Sequence, residues 1–463
     1  MSRQQGGTPS PEFSEVDLSM YVYNRSIPTT LSPDVLVCGG GLAGIGAAVA
    51  AARAGANTLL VERMGFSGGF FTAVIGSAFD GLIDTRTGHP VVGGIVFELL
   101  DQMGVLQGRD PRTSCFTYNG EISSVADHPE WITPTTEPER FKKAADEILV
   151  ESGVKILYHT QVADAVTKDG RIEAVIVSNK AGLVAIQPKV VIDCTGDADV
   201  AAWAGAPYEV NDPIQPMSLH FRVIDVHTPA DMALRARCTA LFQQAHADGK
   251  LGSFGGPWPA RFMKHDLYFN ATRVPGNMTN PEDWTRAEIQ GRRDAWTMFH
   301  LLKDNLPEFR DAYMMATGPT AGARESRRIV GLAVLSEEDV WAGRRQPDAV
   351  VLGGGKLDRH GNAAAAQHVE HDVPPYDISY RTLVPQGLAN LLVAGRCHSA
   401  TSAALASSRL TATAMGMGQA AGTAAALATQ TGRDVPDVDV SLLQASIVRQ
   451  GGILEVPGVT AVV

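Results

Sequence analysis

A chain of 463 residues has room for about three ordinary domains, or one large domain with insertions. Its 44% hydrophobic and 19% charged content excludes a disordered or fibrous protein. Lys+Arg 39 against Asp+Glu 50 leaves a net charge of −11, which speaks against nucleic acid or an anionic membrane as partner but leaves room for a local cationic pocket.

No run of about 18 apolar residues occurs, so no membrane-spanning helix is expected. The five cysteines, Cys38, Cys115, Cys194, Cys238 and Cys397, are scattered and form no Cys-x-x-Cys pair, which predicts neither a disulfide framework nor a structural zinc site. Cys38, Cys194 and Cys397 end apolar runs beside glycine and read as small buried thiols. A reducing, cytoplasmic setting is expected.

In chain order, residues 1–30 are polar, contain Pro9, Pro11 and Pro28 and lack the apolar core of a signal peptide, and residues 1–33 read as a flexible tail. Asp34 to Cys38 predicts a buried strand, Gly39-Gly40-Gly41-Leu42-Ala43-Gly44 a tight turn, Ile45 to Ala54 a small-residue helix, and Asn57 to Val61 a second strand ending in Glu62. This is a βαβ unit of the dinucleotide-binding type. Gly39 permits the turn, Gly41 lets backbone approach a pyrophosphate, and Gly44 lets the helix lie close to the strand. The helix start offers free N–H groups to phosphate, and Glu62, 21 residues after Gly41, suits a ribose hydroxyl.

Residues 65–135 are glycine-rich and irregular. Pro138 then opens a helix to about Ser152. Val154–His159, Val162–Thr167, Ile172–Ser178 and Val184–Ile186 predict consecutive strands, the later ones an antiparallel meander with turns at Asp169-Gly170 and Ala181-Gly182. Lys189–Cys194 is another buried strand. From about Tyr208 the α/β regularity gives way to a segment richer in Met, Trp and Pro, read as a second domain capping the first. Gly353-Gly354-Gly355 reads as a turn, Leu391–Gly395 as a buried strand and Ser407–Thr429 as one long Ala/Gly/Met helix.

At these residues the sequence resembles the FAD-dependent oxidoreductase family, distantly related to fumarate reductase and succinate dehydrogenase flavoproteins. The likeness rests on the first βαβ unit with Glu62, on Gly68-Gly69-x-x-Thr72, and on Val191-Ile-Asp-Cys-Thr-Gly-Asp-Ala-Asp-Val200. It continues through Arg324-Glu-Ser-Arg-Arg-Ile-Val-Gly331 and Asn390-Leu-Leu-Val-Ala-Gly-Arg-Cys397 to Met415-Gly-Met-Gly-Gln-Ala-Ala-Gly-Thr-Ala-Ala-Ala426, covering about Asp34 to Ala428. It implies an α/β fold with a Rossmann-like FAD-binding domain of the glutathione-reductase type and an inserted α+β substrate or cap domain. The expected plan is a tail at 1–33, FAD-binding parts at 34–206 and 381–430 with an irregular insertion at 65–135, the cap at 207–380, and a C-terminal segment at 431–463.

Carried onto this chain, the resemblance implies that Gly39, Gly41, Leu42, Ala43 and Gly44 hold the FAD pyrophosphate and Glu62 with Arg63 the AMP ribose. Gly68, Gly69 and Phe70 would line the cofactor, with the Val162 backbone at the adenine. Thr195, Gly196 and Asp197 would cross beneath FAD, and Gly395 and Arg396 would return beside the ribityl chain and ring. The last helix, at Ala414 and Met415, would aim its N-terminus at the flavin, where a helix dipole stabilises the negative charge of the reduced ring. Related flavoproteins often carry an acid after this last glycine, whereas Arg396-Cys397-His398 stands here.

Five side chains are candidates for chemistry. Arg324 and Arg327, with Arg328, would share a face if helical, either as a guanidinium fork that binds a substrate carboxylate or stabilises an enolate-like transition state, or as a structural network closed by Glu325 and the cap's acids. His398 suits a proton shuttle, a covalent flavin attachment point or an ordinary loop histidine. His220 faces either substrate or core, and Tyr380, with Tyr376, either lines the pocket or packs. No metal is expected: His368-Val-Glu-His371-Asp372 reads as a solvated loop. These readings predict an FAD-dependent dehydrogenase or oxidase that moves hydride between a small polar organic substrate and flavin N5. The electrons would go to an acceptor not identified by the sequence (oxygen, a quinone or a carrier protein), and a homo-oligomer stays open. The rivals are an NAD-dependent Rossmann dehydrogenase, a flavin hydroxylase and a non-catalytic flavin-binding protein.

Overall fold

Short apolar runs closed by glycine form the central layer. The structure, a computed structural model, describes residues 24–112, 114–116, 131, 132, 134, 136–263, 265–361 and 368–456. Of the expected insertion at 65–135, residues 113, 117–130, 133 and 135 lie outside these. Five parallel strands lie in the order Leu391–Val393, Val190–Asp193, Val35–Cys38, Thr58–Val61 and Lys155–Leu157. Every residue of the three inner strands is buried, as a sheet covered on both faces requires. From Val35–Cys38 the chain moves outward on one side and later returns on the other through Val190–Asp193. That reversal opens a crevice at the strands' carboxyl ends, between Gly39 and Cys194, where open α/β sheets bind ligands.

Two helices of small residues hold this layer. Leu42–Arg53 packs on Thr411–Thr431 so closely that their backbones touch. A Cβ on Gly418 would lie 1.9 Å from the Ala43 carbonyl oxygen, and one on Gly422 2.1 Å from that of Ala47. Gly422→Ala is expected to lower stability by about 1–3 kcal/mol through overpacking, read as a lower midpoint in urea unfolding; an unchanged midpoint would contradict the contact. The expected helix Ser407–Thr429 is in fact two, Ser402–Ser408 and Thr411–Thr431, interrupted at Arg409 and Leu410.

The meander forms from Gln161–Lys168, Arg171–Asn179 and Gly182–Ile186. Thr29–Leu31 joins it in parallel, so the end of the expected tail contributes a strand. Lys155–Leu157 belongs to the parallel sheet instead. A second core lies in the segment expected to cap. The four antiparallel strands Phe254–Ala260, Asp266–Thr272, Phe221–Ile224 and Tyr313–Thr317 carry the helices Met232–Ala247 and Pro281–Asn305. The later part of that segment does not share this core: Ala349–His360 and His368–Ser379 form a two-stranded ribbon whose apolar residues join the main core.

This ribbon corrects two readings. Gly353-Gly354-Gly355 is not a turn but mid-strand, where a Cβ on Gly353 would enter the Tyr376 ring at 2.2 Å. The segment from His368 is strand, not loop, because it finds twelve residues of partner backbone. Among the described residues no helix is long and apolar enough to cross a membrane.

Candidate functional site

The crevice at the sheet reversal opens into a cavity of about 660 Å3, within the range of roughly 300–1,000 Å3 for small-molecule sites. Its outer end is built by the first turn. Gly39 sits at φ +100°, and a Cβ there would strike the Cys194 carbonyl at 2.5 Å. Gly41 begins the helix with no side-chain cap, so its first N–H groups face the cavity wall formed by Gly41, Leu42 and Ala43. Nothing lies within 4 Å of a Cβ placed on Gly41. An uncapped helix start beside an open cradle suits a diphosphate. Glu62 lines the same end, its carboxylate accepting from the Gly40 N–H at 2.6 Å and the Met64 N–H at 2.7 Å. Arg63 stacks 4.7 Å over the Trp284 ring, joining the cap to the nucleotide end, and Val162 completes the wall.

The middle wall is a crossing of loops. Asp193, buried, accepts from the Thr195 N–H and hydroxyl and from the Ala201 N–H, shaping the turn that presents Thr195, Gly196 and Asp197 to the cavity. Arg396 donates to Asp197 at 3.1 Å and Arg327 to Asp199 at 2.8 Å. Gly69, Phe70, Gly395 and Ala414 line this stretch as well. Arg324, Arg327 and Arg328 are not helical, and their side chains diverge. Arg324 points inward, Arg327 stays at the middle wall, and Arg328 turns to Ala400, Glu325 and Glu209.

The inner end is a polar chamber between cap and ribbon, lined by Asp80, His220, Arg324, Asp358, His360 and Arg409. His220 comes from just before a cap strand and shares a 2.8 Å hydrogen bond with the Tyr268 hydroxyl. Burial and the Arg324 and Arg273 charges hold its imidazole neutral, well below the usual histidine range. Asp358 and His360 alternate on one face of the ribbon strand, and His360 is pushed down to about 2, mainly by burial. Arg409, projecting from the break between the last two helices, reaches the Asp358 carboxylate at 3.0 Å. Burial and the neighbouring Asp358 raise the Asp80 carboxyl to about 7.

Behind the wall, Arg273 and Arg324 converge on one atom. Both donate to the Ser218 hydroxyl oxygen, at 2.9 and 2.8 Å, while that hydroxyl donates to the Thr272 carbonyl at 2.7 Å. Two unit charges about 5 Å apart at an effective dielectric of about 20 repel by roughly 3 kcal/mol, so the cap holds this pair against a real cost. Burial holds Arg273 down at about 10.

Five expected site residues stand off the cavity wall. Gly44 works through packing, since a Cβ there would lie 1.8 Å from the Gly39 carbonyl oxygen. Gly68, at φ +120°, makes the turn over Phe141 and Thr72. Met415 is buried against Gly46. The Tyr380 hydroxyl donates to the Val435 carbonyl at 2.7 Å, and its ring is core. His398 is fully buried, bonded through Nε2 to the Ser408 hydroxyl at 2.7 Å, and held down at about 3 by burial and Arg328. It faces neither cavity nor solvent, so acid precipitation is expected to leave all flavin in the supernatant. Colour kept in the pellet would restore His398 as an attachment point.

Asp80, Asp358, His360 and Arg409 escaped the motif reading. Arg409 had a signal: it is the only charged residue between Arg396 and Arg433, inside an Ala/Gly/Ser stretch. The i, i+2 spacing of Asp358 and His360 became informative only once that segment was known to be a strand. Asp80 carried none.

Solved structures are similar to the chain at a distance. A geranylgeranyl bacteriochlorophyll reductase-like protein from Thermoplasma acidophilum is 13% identical, with 91% of this chain and 84% of that one covered and a TM-score of 0.45. p-Nitrophenol 4-monooxygenase from Pseudomonas putida is 15% identical, with 91% and 85% covered and a TM-score of 0.43. The myxobacterial chondrochloren halogenase is 13% identical, with 91% and 79% covered and a TM-score of 0.46. No curated protein matches the chain. The model of the FAD dependent oxidoreductase family matches residues 34–447, the whole span of the sheet, the crevice and the chamber. The chain therefore belongs to the FAD-dependent oxidoreductase family, an enzyme with FAD as its cofactor.

Proposed function

We propose that the enzyme dehydrogenates a small polar organic molecule held in the inner chamber. The observation that carries this reading is continuity: one cavity runs from the uncapped helix at Gly41 to a buried chamber holding a carboxyl group poised near neutrality. The helix start would hold the FAD diphosphate, Glu62 its AMP ribose, and the walls at Thr195–Asp197 and Gly395–Arg396 the rest of its length. When bound, FAD supplies a two-electron acceptor, taking hydride from a substrate C–H bond at N5.

The chain does the remainder. Asp80, as carboxylate, takes at Oδ the proton that the substrate releases from its neighbouring O–H or N–H bond as the hydride leaves, so one hydride and one proton are accounted for. Neutral His220, held by Tyr268, orients the substrate by hydrogen bonding and does not protonate near pH 7. Phe70, whose ring stands edge-on 5.9 Å from His220, keeps water from the space between. An acceptor (oxygen, a quinone or a carrier protein) would take up the two electrons. Anaerobic titration of the FAD-loaded protein with small alcohols, amines and hydroxy acids tests this. Loss of the oxidised flavin absorbance with one of them, and recovery on adding an acceptor, is expected. Purified protein that holds no FAD and takes none up would overturn it.

A further inference from the structure

We infer that the chamber is a carboxylate-binding site, with Arg324 as the residue that grips the anion and Arg273 as the charge behind it, so that the substrate is an organic acid. The inference rests on the reading of the chamber as the substrate site and adds the substrate's charge.

The argument is one of unmatched charge. Arg324 is 7% exposed and lines the chamber; Arg273 is 5% exposed and lies one hydroxyl away. All the acceptors they use are neutral: the Pro216 carbonyl and Ser218 hydroxyl for Arg324, and the Ser218 hydroxyl, Asn270 amide oxygen and Thr272 carbonyl for Arg273. Among the described residues, neither has a carboxylate within ion-pair distance, while Arg222, equally buried, has Asp266 at 2.7 Å. Arg273 Nη2 is buried with no hydrogen-bond partner at all.

The acids of the chamber supply only part of the missing charge. Asp358 is near enough to act electrostatically on both arginines, but it is already paired with Arg409 at 3.0 Å, so one carboxylate is shared among three guanidinium groups. Burial, with the Arg273 and Arg409 charges, pushes Arg324 well below the usual guanidinium range, but a guanidinium starts so high that it keeps its proton near neutral pH and the positive charge persists. Burying it without a counter-charge is costly unless a ligand brings one. Arg324 gives both of these bonds through Nη1, which leaves the rest of its planar fork for a two-oxygen acceptor, the geometry a carboxylate matches bidentately.

The placement also divides the labour. The anion would rest on Arg324 while Asp80, from a separate segment of the same chamber, takes the proton, so the charge of a short acid selects its orientation.

Calorimetric titration of the FAD-loaded protein with acetate and succinate, against acetamide and succinamide at the same ionic strength, tests the inference without turnover. The carboxylates are expected to bind at least about tenfold more tightly than the amides. In Arg324→Met, carboxylate binding is expected to fall about 30-fold or more, with FAD content and melting temperature kept, and Arg324→Lys should recover part of it, since it returns the charge but not the fork. Amides binding as well as carboxylates, or unchanged carboxylate binding in Arg324→Met, would overturn the inference. The comparison of acids with amides needs no variant, so it stands even if Arg324→Met fails to fold. FAD-loaded protein whose flavin is reduced by an uncharged substrate, but which binds no carboxylate, would sink this inference alone. Protein that never holds FAD would sink the reading beneath it.

Discussion

Asp80→Asn is expected to lower kcat by about 10^2–10^4-fold while the protein still purifies with FAD, because the amide keeps the shape of the carboxyl but accepts no proton. In the wild-type enzyme the base must be ionised, so kcat/KM should rise with pH through about 7 and then level off. The groups that set this position are burial first, then Asp358 and Glu370 raising it and Arg409 and Lys356 lowering it. The variant's profile should lack that limb. A variant with wild-type kcat, or with the same limb, would remove Asp80 from the chemistry.

The same carboxyl gives an independent stability signature. Its folded value of about 7 lies above the unfolded 3.8, so between those values the folded chain keeps a proton that the unfolded chain has released. The group's contribution to stability is therefore complete below about pH 4 and declines by up to about 1.4 kcal/mol per pH unit as pH rises toward 7. Asp80→Asn should flatten that decline, leaving the variant more stable than the wild type above pH 7. Denaturant unfolding at pH 4 and pH 8 reads the difference.

The second large effect separates two glycines of one turn. Gly41→Val is expected to leave a folded protein that binds FAD at least about 100-fold more weakly, because its side chain projects only into the open cradle where a diphosphate would lie. Gly44→Val should instead fail to fold normally, since its Cβ would meet the Gly39 carbonyl oxygen at 1.8 Å whether or not FAD is bound. Flavin content and the melting temperature of FAD-free protein, measured for both, distinguish them. If Gly41→Val holds FAD as the wild type does, the diphosphate does not sit at this helix start.

The nucleotide half of the molecule was legible in the sequence because its determinants are local. A buried strand, a glycine turn, a helix of small residues and a strand ending in Glu62 lie within thirty residues, and backbone sterics alone place Gly39, Gly41 and Glu62 at one crevice. Thr195–Asp197 and Gly395 line the same crevice for the same reason, since each follows directly on a buried strand of the same sheet. His398 and Tyr380 looked equally well placed along the chain, yet their side chains point to the far side of those segments, into Ser408 and Val435, and linear spacing does not record that direction.

The chamber was decided by tertiary structure. Asp80, Ser218, Arg273, Arg324, Asp358 and Arg409 come from six separated segments, and no periodicity links them. The glycines at 353–355 favoured a turn until a partner strand and the Tyr376 ring gave them a reason to be extended. Whether Arg324 would be neutralised depended on which carboxylates the fold brings near it. Glu325, its neighbour in sequence, is instead committed to Gln215, Ser402 and Arg328. Charge balance in a buried site is a property of three-dimensional neighbours, which is why the sequence left Arg324 open between a carboxylate fork and a structural network, and only the folded chain shows which carboxylates lie beside it.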